Sequence, residues 1–517
     1  MLEAMLGGLG LLFDYRVLIM VVIGIVYSQF IAVIPGLGGP FMLALIVPFA
    51  VVQDLVPGLA LLVATTTATG TGNTVSSIYF AVPGSGGGVA SIFDGHPMAR
   101  RGEGQRALSA GLTASMVGGI FGAMAMVVII PAVRPIVLSL GPPEFFALTL
   151  VAIVFIGYVG EASFSRSLLS GGIGMLLGLM GLEPATSATR YTMGSYYLWD
   201  GLPLVPMLLG LFAFAEMMAL MRRGGRLIPT AKPPAPGERS QLKQGIRDVF
   251  AHWPATLRSS MVGMGVGLLP GLGMAASQFI AYGSVAKAMK GKTEYEFGKG
   301  AIEGVIAADA ATNAKDGGGF IPTLAFGIPG SSSMAILLGA MVMLGIQPGR
   351  SMMEGDGLSI VWLIIFILVL SSVLSTGLVM ALMRPLTKLA STRGSILAPI
   401  ILCVSLFGAY ATRLNIRDIF VLFIFGALGY FMKKHDYSRA TLVIGFVLAP
   451  LAERGLMLSY NIHGWGFLQR PLVQLILITT VLSLTFPILR QRFGRGRSGP
   501  SEAAARAPEN EDSAPRG

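Results

Sequence analysis

The sequence predicts an all-α polytopic integral membrane protein with two halves of inverted topology, whose helices break or re-enter the bilayer at Pro-Gly tips. The composition supports this class, because 53% of the 517 residues are hydrophobic and only 12% are charged. A soluble domain carries about 25% charged residues. A chain of this size with so little charge lacks the polar surface that water requires, so most of its surface is expected to face lipid.

Apolar stretches close to spanning length recur along the chain, and each is expected to form a membrane helix because a span needs about 20 apolar residues. They are 17–34, 107–130, 145–160, 202–221, 359–383, 419–432 and 472–489. The 69 glycines and 28 methionines suit close helix packing with flexible side chains between helices. The single cysteine, Cys403, leaves no intramolecular disulfide and no cysteine metal site.

Four Pro-Gly tips interrupt the apolar sequence, two in each half. Half one has Pro35-Gly36-Leu37-Gly38 and Pro83-Gly84-Ser85-Gly86, and half two has Pro270-Gly271-Leu272-Gly273 and Pro329-Gly330-Ser331-Ser332. Proline removes a backbone donor and glycine accepts a positive φ, so each tip should break a helix. Broken helices at matching positions of two halves point to the substrate site of a transporter. The chain is therefore predicted to be a solute carrier.

Basic residues predict the orientation of the loops. The net charge of +11 comes from clusters in short loops and the tail, not from one folded face, so nucleic acid is not expected as a partner. The positive-inside rule places these clusters in the cytoplasm, next to the lipid bilayer. The loop between the tips of half one, 51–57, has no basic residue, whereas the corresponding loop of half two, 287–299, is basic. Equivalent loops thus point to opposite sides, as an inverted repeat requires.

Four segments are predicted: membrane half one over 1–221, a cytoplasmic linker over 222–253, membrane half two over 254–493 and a disordered cytoplasmic tail over 494–517. The linker is rich in proline and charge, and a short surface helix is expected over 241–250. The segments 259–269 and 273–289 flank a tip, and both outer ends lead to basic loops. A re-entrant hairpin is expected there, and an ordinary kinked pair of spans is the alternative.

Polar residues surround the second tip of each half. Hydroxyls, amides and glycine-exposed N–H groups suit a carboxylate at the N-terminus of a broken helix, whereas carbonyl, Asn and Asp oxygens suit Na⁺. The predicted substrate-binding residues are Pro35, Gly36, Gly38, Asn73, Thr74, Pro83, Gly84, Ser85, Asn313, Pro329, Gly330, Ser331 and Ser332. The predicted cation-coupling residues are Asp309, Asp316 and Thr312. Two alternatives stay open: interhelical packing for the threonines, and an ion pair between Lys315 and one of the aspartates.

No catalytic residue is predicted, and the chain is not expected to be an enzyme. The glycines at 84–88 lack the Lys-Ser/Thr pair of a nucleotide-binding loop. No cofactor is expected, and no metal beyond Na⁺ as a coupling ion. The segment Asp94-Gly95-His96-Pro97 is expected to be a turn at a membrane exit. The rival functions are a membrane-embedded enzyme, which would need a clustered acid, base or nucleophile, and a passive channel.

The motifs carry a family resemblance over roughly residues 7–490. The segments 35–38, 83–85, 93–103, 311–314 and 320–330 resemble the large membrane subunit of tripartite tricarboxylate transporters. The resemblance implies a multi-pass protein of the bacterial inner membrane that imports organic carboxylates with an ion gradient. It also implies two partners, a small membrane subunit and a periplasmic solute-binding protein. The chain departs from the family pattern at Asp309, where Glu is usual, and at Thr312, where Asn is usual.

Overall fold

The computed structural model describes residues 1–34, 36–82, 88–159, 163–183, 187–223, 239–269, 273–383, 385–386 and 394–493. Most of them are helical, and the strands among them are the short antiparallel pair β1, Gly181–Leu182, and β2, Thr189–Arg190. The predicted all-α class is confirmed. Within the described residues, 6 helices are long and apolar enough to cross a membrane by length and composition.

The helices before the linker are α1 Leu2–Leu12, α2 Tyr15–Ala32, α3 Gly39–Val51, α4 Leu55–Phe80, α5 Val89–Arg100, α6 Gly104–Ser139, α7 Pro142–Val159, α8 Phe164–Gly178, α9 Leu204–Leu208 and α10 Ala215–Arg223. A π-helical segment, Leu209–Phe214, joins α9 to α10, and a 3₁₀ turn spans Tyr196–Leu198. The later helices are α11 Arg239–Ala251, α12 Trp253–Leu268, α13 Gly273–Ala288, α14 Ile302–Phe326, α15 Ser332–Met343, α16 Gly355–Ala381, α17 Gly394–Ala411, α18 Arg417–Lys434, α19 Arg439–His463 and α20 Pro471–Phe493. Two further 3₁₀ turns span Arg350–Met353 and Gly464–Gln469.

The helices around the first tip of each half form a hairpin. At the outer end of the α2–α3 pair, Arg16 Nη1 lies 3.4 Å from Asp54 Oδ2. At the outer end of the α12–α13 pair, Arg258 Nε donates to Ser284 Oγ at 2.7 Å. The last turn of α12 packs beside Lys315, near the middle of α14 and well short of its end at Phe326. These contacts describe a helical hairpin, and its re-entrant placement in the bilayer remains a prediction.

The two halves repeat one packing arrangement around a shared centre. Helices α2 and α3 pack on α4 in the same way that α12 and α13 pack on α14. Each central helix then packs on the long helix of the other half, α4 on α16 and α14 on α6. The peripheral helix α1 lies on α16, and α11 lies on α6. Nearly every residue of α4 and α14 is buried, so these two helices form the core of the protein.

Glycines allow close contact between several helices. Gly174 of α8 packs on the backbone of Leu442 in α19, and Gly445 of α19 packs on Gly171. Gly118 of α6 lies against the backbone of Ala310 in α14. These contacts agree with the small-residue packing typical of membrane helices. Large apolar side chains cover the outer surface, as a lipid-facing surface requires; Phe420, Ile424, Ile478 and Leu482 are examples.

The segment Asp94–Pro97 is not the expected turn, because it lies within α5, Val89–Arg100. The Asp94 carboxylate bonds to distant groups and does not close a local turn. Pro97 removes one helical donor, but the helix ends only three residues later, at Arg100. The helix expected over 241–250 is confirmed as α11, which packs on α6 through the ion pair of Arg106 Nε with Asp248 Oδ2 at 2.7 Å.

The predicted segment boundaries remain predictions. Helix α10 ends at Arg223 and α11 begins at Arg239, and residues 224–238 of the linker lie outside the described part of the chain. The tail, 494–517, also lies outside it. Cys403 lies in α17 and is exposed.

Candidate functional site

The threonines of α4 form two groups, one that hydrogen-bonds within α4 and one that hydrogen-bonds to another helix. Four threonines donate to the carbonyl one turn earlier in the same helix: Thr65, Thr66, Thr67 and Thr69. This local bonding satisfies a buried hydroxyl, so packing accounts for that group. Thr71 and Thr74 reach α14 instead. Thr71 Oγ1 accepts from Asn313 Nδ2 at 3.3 Å, and Thr74 Oγ1 donates to Asp309 Oδ1 at 2.9 Å.

Glycines bring α4, α6 and α14 together at this crossing. A Cβ on Gly70 of α4 would lie 2.7 Å from Thr312 Cγ2. A Cβ on Gly111 of α6 would lie 2.5 Å from Asp309 Oδ2 and 2.9 Å from Thr74 Cγ2. Both distances are shorter than van der Waals contact, so neither position has room for a side chain. The crossing therefore holds the side chains of α4 and α14 at hydrogen-bonding distance.

Asp309 is a buried carboxylate, 1% exposed. Besides Thr74, the hydroxyl that faces it is that of Ser91 in α5. Its Oδ2 atom has no partner at hydrogen-bonding distance within the described residues, and no Lys, Arg or His described there forms an ion pair with it. A carboxylate in this setting is costly to ionise without a cation.

Lys315 and Asp316 form a buried ion pair one to two turns further along α14. The Nζ atom of Lys315 lies 2.9 Å from Oδ1 of Asp316, and the two side chains are 6% and 4% exposed. This confirms the alternative in which Lys315 pairs with one of the two aspartates. Asp316 is therefore compensated by a neighbouring charge, whereas Asp309 is not.

The first tip of half one meets the second tip of half two. Gly38 precedes α3, and Ser331 precedes α15 and accepts from Met334 N at 3.3 Å. A Cβ on Gly39 would lie 2.5 Å from Ser333 Oγ. The N-termini of α3 and α15, from opposite halves, therefore lie side by side. Each end carries backbone N–H groups that have no acceptor within the helix, and the positive end of a helix dipole.

A second contact between the halves involves Gln278 of α13, which is not among the predicted site residues. Its Oε1 atom accepts from Gly88 N, just before α5, at 2.7 Å, and its Nε2 atom donates to Thr312 Oγ1 at 2.6 Å. Gln278 thus joins the start of α5 to the central helix α14. An amide within an apolar helix, close behind a Pro-Gly tip, is the signal that could have revealed it.

Asp94 is a second residue whose role only the structure reveals. Its Oδ1 atom accepts three backbone N–H groups at the start of α14, from Gly298, Gly300 and Ala301, at 2.8–2.9 Å. Its Oδ2 atom accepts from Tyr282 Oη at 2.8 Å. The residue is fully buried and holds the segment just before α14, so it stabilises the contact between α5 and the start of α14.

The remaining predicted site residues fall into three groups. Asn73 is buried in α4, and its carbonyl accepts the hydroxyls of Ser76 and Ser77. At the tips, Gly36 is exposed with a φ of 85°, Pro329 and Gly330 are buried, and Ser332 is half-buried. Pro35, Pro83, Gly84 and Ser85 lie outside the described residues.

The central crossing thus gathers Thr74, Asp309, Thr312 and Asn313, while the α3 and α15 ends gather Gly38 and Ser331. Within the described residues, no group of three or more His, Cys, Asp or Glu side chains is placed to hold a metal ion. A cation here would bind to one carboxylate, to hydroxyl and amide oxygens and to backbone carbonyls.

Comparison with known proteins gives one family match. The model of the tripartite tricarboxylate transporter TctA family matches residues 18–444. An uncharacterized 52.8 kDa protein of Agrobacterium vitis, in the TAR-I ttuC' 3'region, is 27% identical over 444 residues, which are 84% of this chain and 85% of that protein. A second Agrobacterium vitis protein, in the TAR-II ttuC' 3'region, is 35% identical over 191 residues, 37% of this chain and 78% of that protein. No solved structure matches this chain.

Proposed function

Because this chain belongs to the tripartite tricarboxylate transporter TctA family, we propose that it is the membrane permease subunit of a binding-protein-dependent secondary transporter. It imports organic di- or tricarboxylates, driven by a Na⁺ or H⁺ gradient. The observation that carries this proposal is the meeting of two helix N-termini from opposite halves, where Gly39 approaches Ser333.

The paired N-termini suit a carboxylate. Two positive helix ends that face one space repel each other, and an anion between them removes the repulsion. Ser331, Ser332 and Ser333 are half-buried rather than fully packed, so their hydroxyl and N–H groups border a space that protein does not entirely fill. Glycine at 39 lets α3 approach Ser333 closely, so the two helix ends border the same space. These features support binding of the substrate at this point.

Asp309 is the proposed coupling residue. Its burial without a counter-charge in the described residues favours a bound proton or Na⁺ over a bare carboxylate. Thr74, Thr312 and nearby backbone carbonyls supply oxygen atoms of the type that Na⁺ accepts. With either cation, the charge at the α4–α14 crossing depends on whether the driving ion is bound.

The inverted relation of the halves is part of the proposal. Two observations support it. The packing of α2 and α3 on α4 matches that of α12 and α13 on α14, and the packing of α1 on α16 matches that of α11 on α6. The basic loops of the halves also meet, since Arg101 Nη1 donates to the carbonyl of Lys299 at 2.6 Å. The positive-inside rule then places both loops in the cytoplasm.

The proposed setting is the bacterial inner membrane. The proposed partners are a small membrane subunit and a periplasmic solute-binding protein, because a tripartite transporter needs components beyond this chain. The lipid bilayer covers the apolar outer surface, and no nucleic acid is proposed as a partner.

Counterflow in proteoliposomes tests the proposal against its two rivals, a passive channel and a membrane-embedded enzyme. Vesicles that contain the chain and its partner subunits are loaded with unlabelled citrate or succinate and diluted into the labelled compound. A carrier accumulates label transiently above its equilibrium level, a channel only equilibrates it, and an enzyme converts it. Protein-free vesicles are the control. Equilibration or conversion without accumulation would contradict the proposal.

A further inference from the structure

Lys315 stands apart from the other basic residues. It is 5% exposed and is the one Lys or Arg residue in the described part of the chain that is buried. The other basic residues described there are half-buried or exposed. A buried ammonium group is costly and marks a substrate or ion pathway more often than a packing site.

The pairing of Lys315 with Asp316 leaves bonding capacity unused. Neighbouring residues of an α-helix point about 100° apart and do not face each other. The contact of 2.9 Å therefore requires both side chains to bend towards one space. Asp316 Oδ2 has no hydrogen-bonding partner in the described residues. A buried ion pair is stable only when its remaining donors and acceptors are also bonded, so this pair is open to exchange with another anion.

The second tip of half two lies one helical turn from Lys315. A Cβ on Gly330 would lie 3.3 Å from the Cα atom of Gly319 and 3.2 Å from the carbonyl of Gly267. Gly319 follows Lys315 by four residues and so shares its face of α14. The N-terminus of α15, which follows Gly330, therefore lies on the face of α14 that also carries Lys315.

We propose that Lys315 binds one carboxylate of the transported anion, which displaces Asp316 from the ammonium group. This inference rests on the proposed function and names the residue that selects its substrate class. The N-terminus of α15 binds a second carboxylate of the same molecule. Two positive centres favour an anion with two or more carboxylates over a monocarboxylate. Asp316 neutralises the ammonium group when the site is empty.

Ligand-dependent thermal unfolding of the purified full chain tests this inference. Citrate, succinate and butyrate are titrated at constant pH and ionic strength, and affinity is taken from the rise of Tm with ligand concentration. The double variant Lys315→Gln/Asp316→Asn removes both charges and leaves no lone buried ion. We expect its affinity for citrate and succinate to fall about tenfold or more, the loss of one charge-assisted contact, with butyrate binding unchanged.

Two single variants separate binding from structure. Asp316→Asn removes the competing carboxylate, so the affinity for citrate should rise, whereas a purely structural ion pair would give only a lower Tm. Lys315→Arg keeps the charge and should retain binding. The matched control is Lys433→Gln/Glu216→Gln, which removes the ion pair between α18 and α10.

The thermal unfolding results distinguish failure of the role of Lys315 from failure of the proposed function. Citrate affinity of the Lys315→Gln/Asp316→Asn variant within about twofold of the parent would overturn the role of Lys315 while leaving the proposed function intact. If no carboxylate raises the Tm of the parent protein, the proposed function itself fails, and this inference fails with it.

Discussion

At the scale of single residues, the buried carboxylates differ in how their oxygen atoms are satisfied. Asp94 accepts three backbone N–H groups and one tyrosine hydroxyl, so all its bonding capacity is used in holding two elements together. Asp309 accepts one hydroxyl bond at 2.9 Å and keeps an oxygen without a partner in the described residues. The first pattern is structural, and the second is typical of a group that binds something else.

Asp94→Ala should lower the stability of the protein. The change removes the acceptor of three N–H groups and leaves those of Gly300 and Ala301 buried without one, at a cost of about 2–4 kcal/mol. The Tm of the purified protein measures the loss. Asp436→Asn is the control, because that side chain is 83% exposed and asparagine tolerates the φ of 55° at this position, so stability should change by less than about 0.5 kcal/mol. Equal Tm values for the two variants would contradict the role of Asp94 in holding the segment before α14.

Asp309→Asn should reduce uptake and weaken its dependence on the driving cation, because the variant cannot carry the charge that holds Na⁺ or H⁺. Initial rates are measured against Na⁺ concentration and against pH. Glu296→Gln, at a carboxylate that is 77% exposed, is the control and should leave both profiles unchanged. Normal uptake with unaltered profiles in Asp309→Asn would show that the residue is structural.

At the scale of elements, the broken helices place their N-terminal backbone N–H groups inside the protein. A continuous helix keeps its N-terminal N–H groups at the membrane surface, whereas α3 and α15 begin inside the protein. The close approach of the two ends depends on glycine at position 39. A substitution at Gly330 would test these ends less cleanly than one at Gly39. A valine at Gly330 would meet backbone atoms of Gly267 and Gly319 within 3.3 Å of its Cβ position, so it would disturb helix packing as well.

Gly39→Ala should reduce uptake, because the new methyl group would lie 2.5 Å from Ser333 Oγ and crowd that side chain at the contact between α3 and α15. Adding Ser333→Gly removes that hydroxyl and should restore much of the activity. Uptake and the amount of folded protein are measured for the single and double variants. If Ser333→Gly gives no recovery in the double variant, the contact between the two helix ends is not what limits transport.

At the scale of the whole molecule, the repeated packing arrangement has consequences for topology. Loops 100–106 and 287–299 are joined by the bond from Arg101 to the carbonyl of Lys299, so they must lie on one side of the membrane. The loop that contains Gln53 follows the α2–α3 hairpin of half one. In an inverted repeat it lies on the opposite side from the corresponding loop of half two.

Single-cysteine labelling tests this topology. In a Cys403→Ala background, cysteine at position 53 should react with an impermeant maleimide from the periplasm, and cysteine at 290 only after the membrane is opened. Cysteine at 100, an exposed position next to Arg101, is the internal control and should behave like 290. Labelling of 53 and 290 from the same side would contradict the inverted repeat.

The elements that the sequence predicted well are those whose composition is uniform. The apolar stretches at 17–34, 107–130 and 359–383 correspond to α2, α6 and α16. The two central helices, α4 and α14, are absent from those stretches because threonine, aspartate and lysine lower their hydropathy. These polar residues are tolerated because they are buried inside the protein and bond to partners on other helices. The hydropathy of one segment contains no information about such partners.

The sequence by itself determined the membrane class, the four breaks and the polar residues near them, because composition, proline and glycine act locally. Only the tertiary structure decided which breaks meet, and it brought Gly39 to Ser333. It likewise gave Gln278 and Asp94 their partners, and it paired Lys315 with Asp316 while leaving Asp309 without a counter-charge in the described residues. These relations join residues far apart along the chain or depend on side-chain direction, and both are set by how the helices pack.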